Sequence, residues 1–322
     1  MMRFKVLPSL LLSAGLLRNT LALSTRRYST TMSSLEATTV KMALCQFNVG
    51  SDKAANIKHA SGVIDRAASA EIVVLPECWN SPYSTASFPV YAETVPRPGQ
   101  TPDPTESPSV SMLCEAARSK GIWIVGGSVP ERDGDKIYNT CVIIDKTGSI
   151  VGKHRKVHLF DIDVPGKITF KESDSLTGGS QATLVKTPWG LLGVGICYDI
   201  RFPEYAIMLR QMGARMLVYP GAFNMITGPA HWELLARARA VDNQLFVATC
   251  SPARDMSEDA GYKAWGHSSI ISPWGEVVAT TGEGEDIVFA ELQLEKIDEM
   301  RDGIPCWKQK REDLYRLQAE WP

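Results

Sequence analysis

Leu191-Leu192-Gly193-Val194-Gly195-Ile196-Cys197-Tyr198-Asp199 is an apolar run of strand length that stops at a cysteine. Residues 203–212 read as a helix closed by Gly213, so the pattern is strand, sharp turn, helix. Gly193 and Gly195 predict the close approach of other backbone. A nucleophile at such a turn is exposed at a sheet edge. Backbone N–H groups there can hold an oxyanion, and the helix N-terminus favours a thiolate. Against this stands the commoner fate of a free cysteine, which is to fill a core as a small hydrophobe. Taken alone, Cys197 reads as the latter.

Working outward, the chain alternates strand and helix. Met42–Phe47 is a buried strand, and Ser51 or Asp52 caps a helix to about Ser69. Ile72-Val73-Val74-Leu75 is a short buried strand ended by Pro76. Residues 79–108, rich in Pro, Ser and Thr, read as a long loop. A helix over 108–119 ends at Gly121, and residues 122–127 form a strand. Residues 137–145 and 149–153 form a hairpin, and 156–180 read as a loop. Beyond the nucleophile come strand 215–219, helix 230–242, strand 245–250, a hairpin around Pro273-Trp274-Gly275 and a tail. Alternation with interspersed hairpins predicts an α/β fold with mixed sheets.

The 322 residues are 44% hydrophobic and 22% charged with a net charge of -2, an ordinary globular composition without the basic surface that nucleic acid requires. Seven scattered cysteines with no C-x-x-C pair argue against a disulfide framework or zinc site, and about six of them read as buried free thiols. Five histidines show no H-E-x-x-H spacing, which disfavours a zinc hydrolase. A Cys/His pair stays open, because such partners meet only in space.

The first 40 residues stand apart. They carry Arg3, Lys5, Arg18, Arg26 and Arg27, and no acidic residue before Glu36. This is the composition of a mitochondrial or plastid transit peptide, with a candidate mitochondrial cleavage after Tyr28. A secretory signal is the rival, from apolar Val6–Leu17, though Pro8 and Arg18 interrupt that run, which is too short to span a bilayer. Met32 offers an internal start and a cytosolic form. Residues 1–40 are read as a targeting leader and 41–322 as one catalytic domain with a C-terminal tail.

Three further residues carry chemistry. Glu77 follows Ile72–Pro76, at the carboxyl end of a buried strand, where ligands bind in open α/β sheets. A poorly solvated carboxylate there has a raised pKa and suits proton transfer from a thiol; the plain alternative is a capping carboxylate. Lys156 lies in Gly152-Lys153-His154-Arg155-Lys156-Val157-His158-Leu159-Phe160, just past a strand. A fixed ammonium can stabilise a developing oxyanion, whereas a solvated basic edge is the ordinary reading of such a cluster. Glu172 could hold Lys156 or orient substrate, but in sequence it resembles any surface charge.

Leu75–Tyr83, Arg155–Phe160 and Gly195–Glu204 resemble the three signature segments of the nitrilase superfamily, in its order of Glu, Lys, Cys. The resemblance spans about residues 41–318. It is closest to the Nit branch and its omega-amidases, through Asn80–Tyr83, Asp161–Phe170, Pro220–Asn224 and Thr227–Trp232. It implies a four-layer α-β-β-α sandwich with two mixed sheets and a homodimer packed through the helices after the nucleophile. It implies Glu77 as proton acceptor, Lys156 as oxyanion stabiliser or proton donor, and Cys197 as nucleophile forming a thioester, supported by Glu172 and the Tyr198 backbone. It implies a small 2-oxo acid amide as substrate, and no metal, organic cofactor, nucleic acid or membrane. Tyr83, Arg201, Phe223 and Thr227 are the candidates for holding the substrate's distal carboxylate. Arg201 would instead be structural if it paired with Glu204 or Asp199. Amidases of deaminated glutathione, true nitrilases, and an inert binding protein on the same fold remain alternatives.

Overall fold

The computed structural model describes residues 37–257 and 261–318. The leader, the cleavage after Tyr28 and the start at Met32 concern residues before these, except that the first strand begins at Thr39, inside the stretch set aside as leader. In chain order the elements are β1 (Thr39–Gln46), α1 (Lys53–Ala67), β2 (Ile72–Val74), α2 (Phe88–Tyr91), α3 (Pro108–Lys120) and β3 (Trp123–Val125). Then come β4 (Val129–Asp133), β5 (Lys136–Ile144), β6 (Ile150–Arg155), β7 (Asp161–Val164), β8 (Ile168–Lys171), β9 (Thr183–Thr187), β10 (Gly190–Val194) and α4 (Pro203–Gln211). Last are β11 (Ala214–Pro220), α5 (Thr227–Asn243), β12 (Phe246–Cys250), β13 (Ser269–Ile271), β14 (Val277–Thr280), β15 (Asp286–Gln293) and α6 (Glu295–Gly303).

Local chemistry explains the ends of the helices. The Asp52 carboxylate accepts the Ala55 N–H at 3.0 Å and starts α1. Gly121, at φ 67°, closes α3 in the left-handed conformation that glycine adopts without penalty.

One sheet runs β15-β1-β2-β3-β5-β4, with β6 also on β5; the other runs β14-β13-β12-β11-β10-β9. Each has a parallel centre, β1-β2-β3 in one and β10-β11-β12 in the other, flanked by antiparallel strands. Strand alternation sets the layers. Met42 and Leu44 of β1 share a core with Leu192, Val194, Met216 and Val218 of the second sheet. Ala43 and Cys45 face the other way, onto Ala60, Val63 and Ile64 of α1 and Leu113 and Ala117 of α3. Helices α4 and α5 extend the first core through Leu209, Trp232 and Ala236. The order of layers is therefore α-β-β-α.

Four expectations change. Residues 79–108 contain the one-turn helix α2, and 156–180 contain the hairpin β7-β8 rather than open loop. Strands β4 and β9 went unread. The tail holds a core strand and a helix: β15 pairs with β1 over eight residues and sends Val288, Ala290 and Leu292 inward. Its polar residues alternate with those, a half-buried strand whose charged outer face masked the signal.

Candidate active site

Glu77 follows β2, Lys156 follows β6 and Cys197 follows β10, so both sheets deliver these residues from the carboxyl ends of their strands. Glu172 opens a 3-10 turn behind the hairpin β7-β8. Lys156 Nζ lies 2.8 Å from both carboxylate oxygens of Glu172 and 3.2 Å from Glu77 Oε1. All three side chains are 0% exposed, so Glu172 is no surface charge.

Every carboxylate oxygen in this cluster has a donor. Asn139 Nδ2 donates to Glu77 Oε1 at 2.8 Å, and the Ala222 N–H donates to Oε2 at 2.8 Å. Glu172 accepts the Tyr83 hydroxyl at 2.8 Å and the Phe160 N–H at 2.7 Å. Burial raises the Glu77 pKa above the ordinary glutamate value, although Lys156 pulls against it. Burial lowers the Lys156 pKa, but Glu172 and Glu77 outweigh it and hold the ammonium charged, well above the usual lysine value. Cys197 lies close enough to Glu77 for the two groups to shift each other's titration. Burial and then the Glu77 charge push that thiol well up.

The direction favours the thiol, the form from which Glu77 was expected to take a proton, and the help expected from a helix N-terminus is absent. Cys197 does not head a long helix. It begins a 3-10 turn of five residues, and α4 starts only at Pro203. The turn itself is sharp: Cys197 has φ 46°, a left-handed conformation costing a β-carbon residue about 1–2 kcal/mol. Asp199 holds it. This buried carboxylate accepts the Ile196 N–H at 2.9 Å, His154 Nε2 at 3.2 Å, and both the N–H and Nδ1 of His158, at 2.9 and 2.7 Å. Burial works to raise the Asp199 pKa, but the two histidines overcome it and hold it below the carboxylate range. His154 and His158 are therefore committed to Asp199 rather than forming a Cys/His pair. The glycines act differently from expectation. A β-carbon on Gly193 would meet Leu217 and one on Gly195 would meet Tyr219, both side chains; against the backbone of Cys197 itself lies Gly221.

A cavity of about 730 Å³ opens beside Glu77, lined by Tyr83, Phe170, Ala222 and Tyr262 among others. Of Glu77, Lys156 and Cys197 only Glu77 lines it, and two clefts of about 360 and 510 Å³ elsewhere are lined by none of the three. Tyr83 is thus in the wall. Arg201, Phe223 and Thr227 do not line this space. The Arg201 guanidinium sits over the Phe223 ring at 4.7 Å, and its Nη1 is 3.1 Å from His231 Nδ1. It pairs with neither Glu204 nor Asp199, so the structural ion pair is not formed. Burial lowers its pKa, with Cys197, Tyr198 and Tyr262 acting in the other direction from nearby. The Thr227 hydroxyl donates to Asn224 Oδ1 at 3.2 Å. No group of three or more His, Cys, Asp or Glu side chains among the described residues is placed to hold a metal ion.

Residues 41–302 match the carbon-nitrogen hydrolase family. The chain belongs to that family. It is 55% identical over 282 residues to "Omega-amidase, chloroplastic" of Arabidopsis thaliana, covering 87% of this chain and 74% of that one. It is 49% identical over 287 residues to "Omega-amidase NIT2" of Homo sapiens, covering 88% of this chain and 100% of that one. The crystal structure of Saccharomyces cerevisiae Nit3, a member of branch 10 of the nitrilase superfamily, superposes with a TM-score of 0.78 at 45% identity, covering 87% of this chain and 99% of that one. The carbon-nitrogen hydrolase fold is therefore the four-layer α-β-β-α sandwich built above.

Sequence reading missed Asn139, Asp199, His154 and His158 in this site. Asn139 had a signal: Asn139-Thr140 interrupts an otherwise apolar strand, and buried amides are placed where they have partners. Asp199 had none beyond its closeness to Cys197.

Proposed function

We propose that the protein is an omega-amidase that hydrolyses the terminal amide of 2-oxoglutaramate or 2-oxosuccinamate to the 2-oxo dicarboxylate and ammonia. The observation that carries a hydrolytic reading is the fully buried Glu77–Lys156–Glu172 cluster meeting the Cys197 thiol beside an open cavity. The omega-amidase relatives at 49–55% identity direct it to this substrate class.

A raised thiol beside a raised carboxylate fits proton transfer on demand better than a standing thiolate. Glu77 takes the Cys197 proton as sulfur attacks the amide carbon. The oxyanion is stabilised by the fixed Lys156 ammonium and the Tyr198 backbone N–H. Collapse breaks the C–N bond, Glu77 returns the proton to nitrogen, and ammonia leaves a thioester. Glu77 then takes a proton from water as hydroxide adds to the thioester carbon; collapse breaks the C–S bond, Glu77 returns its proton to sulfur, and the acid product gives its own proton to the released ammonia and leaves as the carboxylate. Glu172 keeps Lys156 in place and charged. Of the four candidates for the distal carboxylate, Tyr83 is the one in the cavity wall and is the proposed contact; Arg201, Phe223 and Thr227 lie outside that wall.

Ammonia release from a panel tests the substrate: 2-oxoglutaramate, 2-oxosuccinamate, deaminated glutathione, simple amides and nitriles. The expected order places the two 2-oxo amides first. Deaminated glutathione as best substrate overturns the choice.

Residues 41–322 are taken as one catalytic domain behind a targeting leader. The Arg-rich, acid-poor composition of the first 35 residues supports mitochondrial import. A homodimer through α4 and α5 is supported by Leu234 and Val241, apolar residues of α5 that are 63% and 43% exposed. Among the described residues no helix is long and apolar enough to cross a membrane.

A further inference from the structure

Glu77 is held by several donors, and one of them is governed from the far wall of the cavity. The Ala222 N–H reaches Glu77 Oε2 at 2.8 Å. The carbonyl of the same residue accepts the Tyr262 hydroxyl at 2.5 Å. Two more contacts join the same segments. The Trp265 N–H donates to the Phe223 carbonyl at 2.7 Å, and Asn224 and Ala264 form an isolated antiparallel bridge. Residues 222–224 are thus clamped along one edge by residues 262–265.

The preceding residue is fixed from the other side. A β-carbon on Gly221 would lie 3.1 Å from Cys197 Cα, so the backbone there lies against the nucleophile turn. The Ala222 backbone is caught between Cys197 and Tyr262: its carbonyl, in the peptide to Phe223, is held by Tyr262, and its N–H, in the peptide to Gly221, is one of the donors that aim the Glu77 carboxylate. Tyr262 is itself seated: its ring lies 4.6 Å from that of Tyr83, whose hydroxyl holds Glu172. The two tyrosines line one cavity. One reaches a carboxylate directly and the other reaches a carboxylate through the Ala222 backbone.

We propose that Tyr262 is a positioning residue: its hydroxyl anchors the Ala222 carbonyl, which keeps the Ala222 N–H on Glu77 and the carboxylate aimed at Cys197. This deepens the role given to Glu77 and Cys197 above and rests on it. Loss of the anchor lets the N–H swing away. A carboxylate that loses a donor is less stable charged, so its pKa rises.

The test is Tyr262→Phe, which removes one oxygen and keeps the ring packing. With 2-oxoglutaramate, kcat is expected to fall about fivefold to tenfold, the scale of one neutral hydrogen bond, while KM changes less than about twofold. The acid limb of the kcat/KM profile moves to higher pH. A second arm uses no amide. Alkylation of Cys197 by iodoacetamide, followed by mass of the modified peptide, is expected to slow by a similar factor in Tyr262→Phe. In a Glu77→Gln background, the same substitution is expected to change it by less than about twofold, as coupled neighbours require. A loss confined to KM, an unmoved acid limb, or equal slowing in both backgrounds overturns the proposal. Failure of the wild type to release ammonia from 2-oxoglutaramate overturns the substrate instead, because the alkylation arm does not depend on it.

Discussion

Arg155 and Lys156 are adjacent in the chain, yet each joins a different cluster of charges. Arg155 closes β6 with its side chain 26% exposed, donating to Glu131 Oε2 and Oε1 at 2.8 and 2.6 Å and to Asp133 at 2.6 Å. Lys153, two residues before it on the same face, also holds Glu131. Lys156 lies one residue beyond the strand and is wholly buried between Glu77 and Glu172. The first cluster sits where water still reaches, so its Coulomb energy is screened. The second is fully buried, so its charges are screened far less and any unpaired one is costly. The run 152–160 was readable as a solvated basic edge, and no residue of it is quite that. Strand alternation sends His154 inward to Asp199 and Lys153 and Arg155 outward to Glu131, while the end of the strand turns Lys156 into the site.

The sharpest way to break this contrast is to remove the group that the buried cluster serves. Cys197→Ala should abolish ammonia release by at least about 10⁴-fold, the scale of nucleophile deletion in a comparable hydrolytic site. The thermal midpoint should change little, because alanine keeps the β-carbon and its backbone cost at φ 46° and only one small side-chain atom is removed. Turnover above a few per cent of wild type would remove Cys197 from the nucleophile role.

Glu77→Gln comes next. The side chain keeps its shape but cannot take a proton, and its amide NH2 replaces an acceptor where Asn139, Lys156 and the Ala222 N–H all donate, so one of those bonds is also lost. A loss of about 10²–10⁴-fold in kcat/KM is expected. The pH profile carries the sign. In the proposed mechanism activity needs Glu77 ionised, so the rate is expected to fall as pH drops through a pKa that burial has raised above the ordinary glutamate value. In Glu77→Gln that limb should vanish. A surviving acid limb in the variant would assign the titration elsewhere.

Lys156→Met tests the buried cation directly. It removes a charge that both glutamates face, leaving two carboxylates in a buried site. A loss of about 10²–10³-fold in kcat is expected from the missing oxyanion stabiliser. Stability should fall by about 3–5 kcal/mol at neutral pH, because breaking one partner leaves buried charge uncompensated. The two carboxylates can relieve this by binding a proton, so the penalty should shrink as pH falls. Denaturant melts at two pH values separate these outcomes. A penalty that grows toward acid would contradict the buried-cluster account.

What could be read beforehand follows from range. Strands with an unbroken apolar run, such as Ile72–Leu75, and helices with a cap residue, such as α1 after Asp52, announce themselves locally. Strand β15 did not, because its pairing with β1 lies some 240 residues away and only half its residues are apolar. The same distinction holds in the site. Glu77, Lys156 and Cys197 lie in short motifs at strand ends. Glu172 looks like a surface charge until the hairpin β7-β8 folds it inward. Asn139 and Tyr262 act on Glu77 from positions 62 and 185 residues along the chain, at distances that no local pattern encodes.

Arg155→Met is the small effect that completes the contrast. Methionine keeps the apolar stem that packs under the guanidinium, which lies 3.8 Å over the Tyr138 ring. Glu131 is nearly buried, but it keeps Lys153 and the Thr140 hydroxyl at 2.6 Å, so it is not left alone. The cost is therefore a half-exposed ion pair and a cation over a ring, about 1–2 kcal/mol together, or a few degrees in thermal midpoint. Activity toward the best amide should stay within about twofold, since no step of the chemistry touches Glu131. Added salt should narrow the stability gap between wild type and Arg155→Met, because the lost pair is partly screened already. The same salt should leave the Lys156→Met gap nearly unchanged. If Arg155→Met instead lost activity on the scale of Lys156→Met, the two clusters would be one electrostatic unit, and the separation made by a single step along the chain at the end of β6 would be wrong.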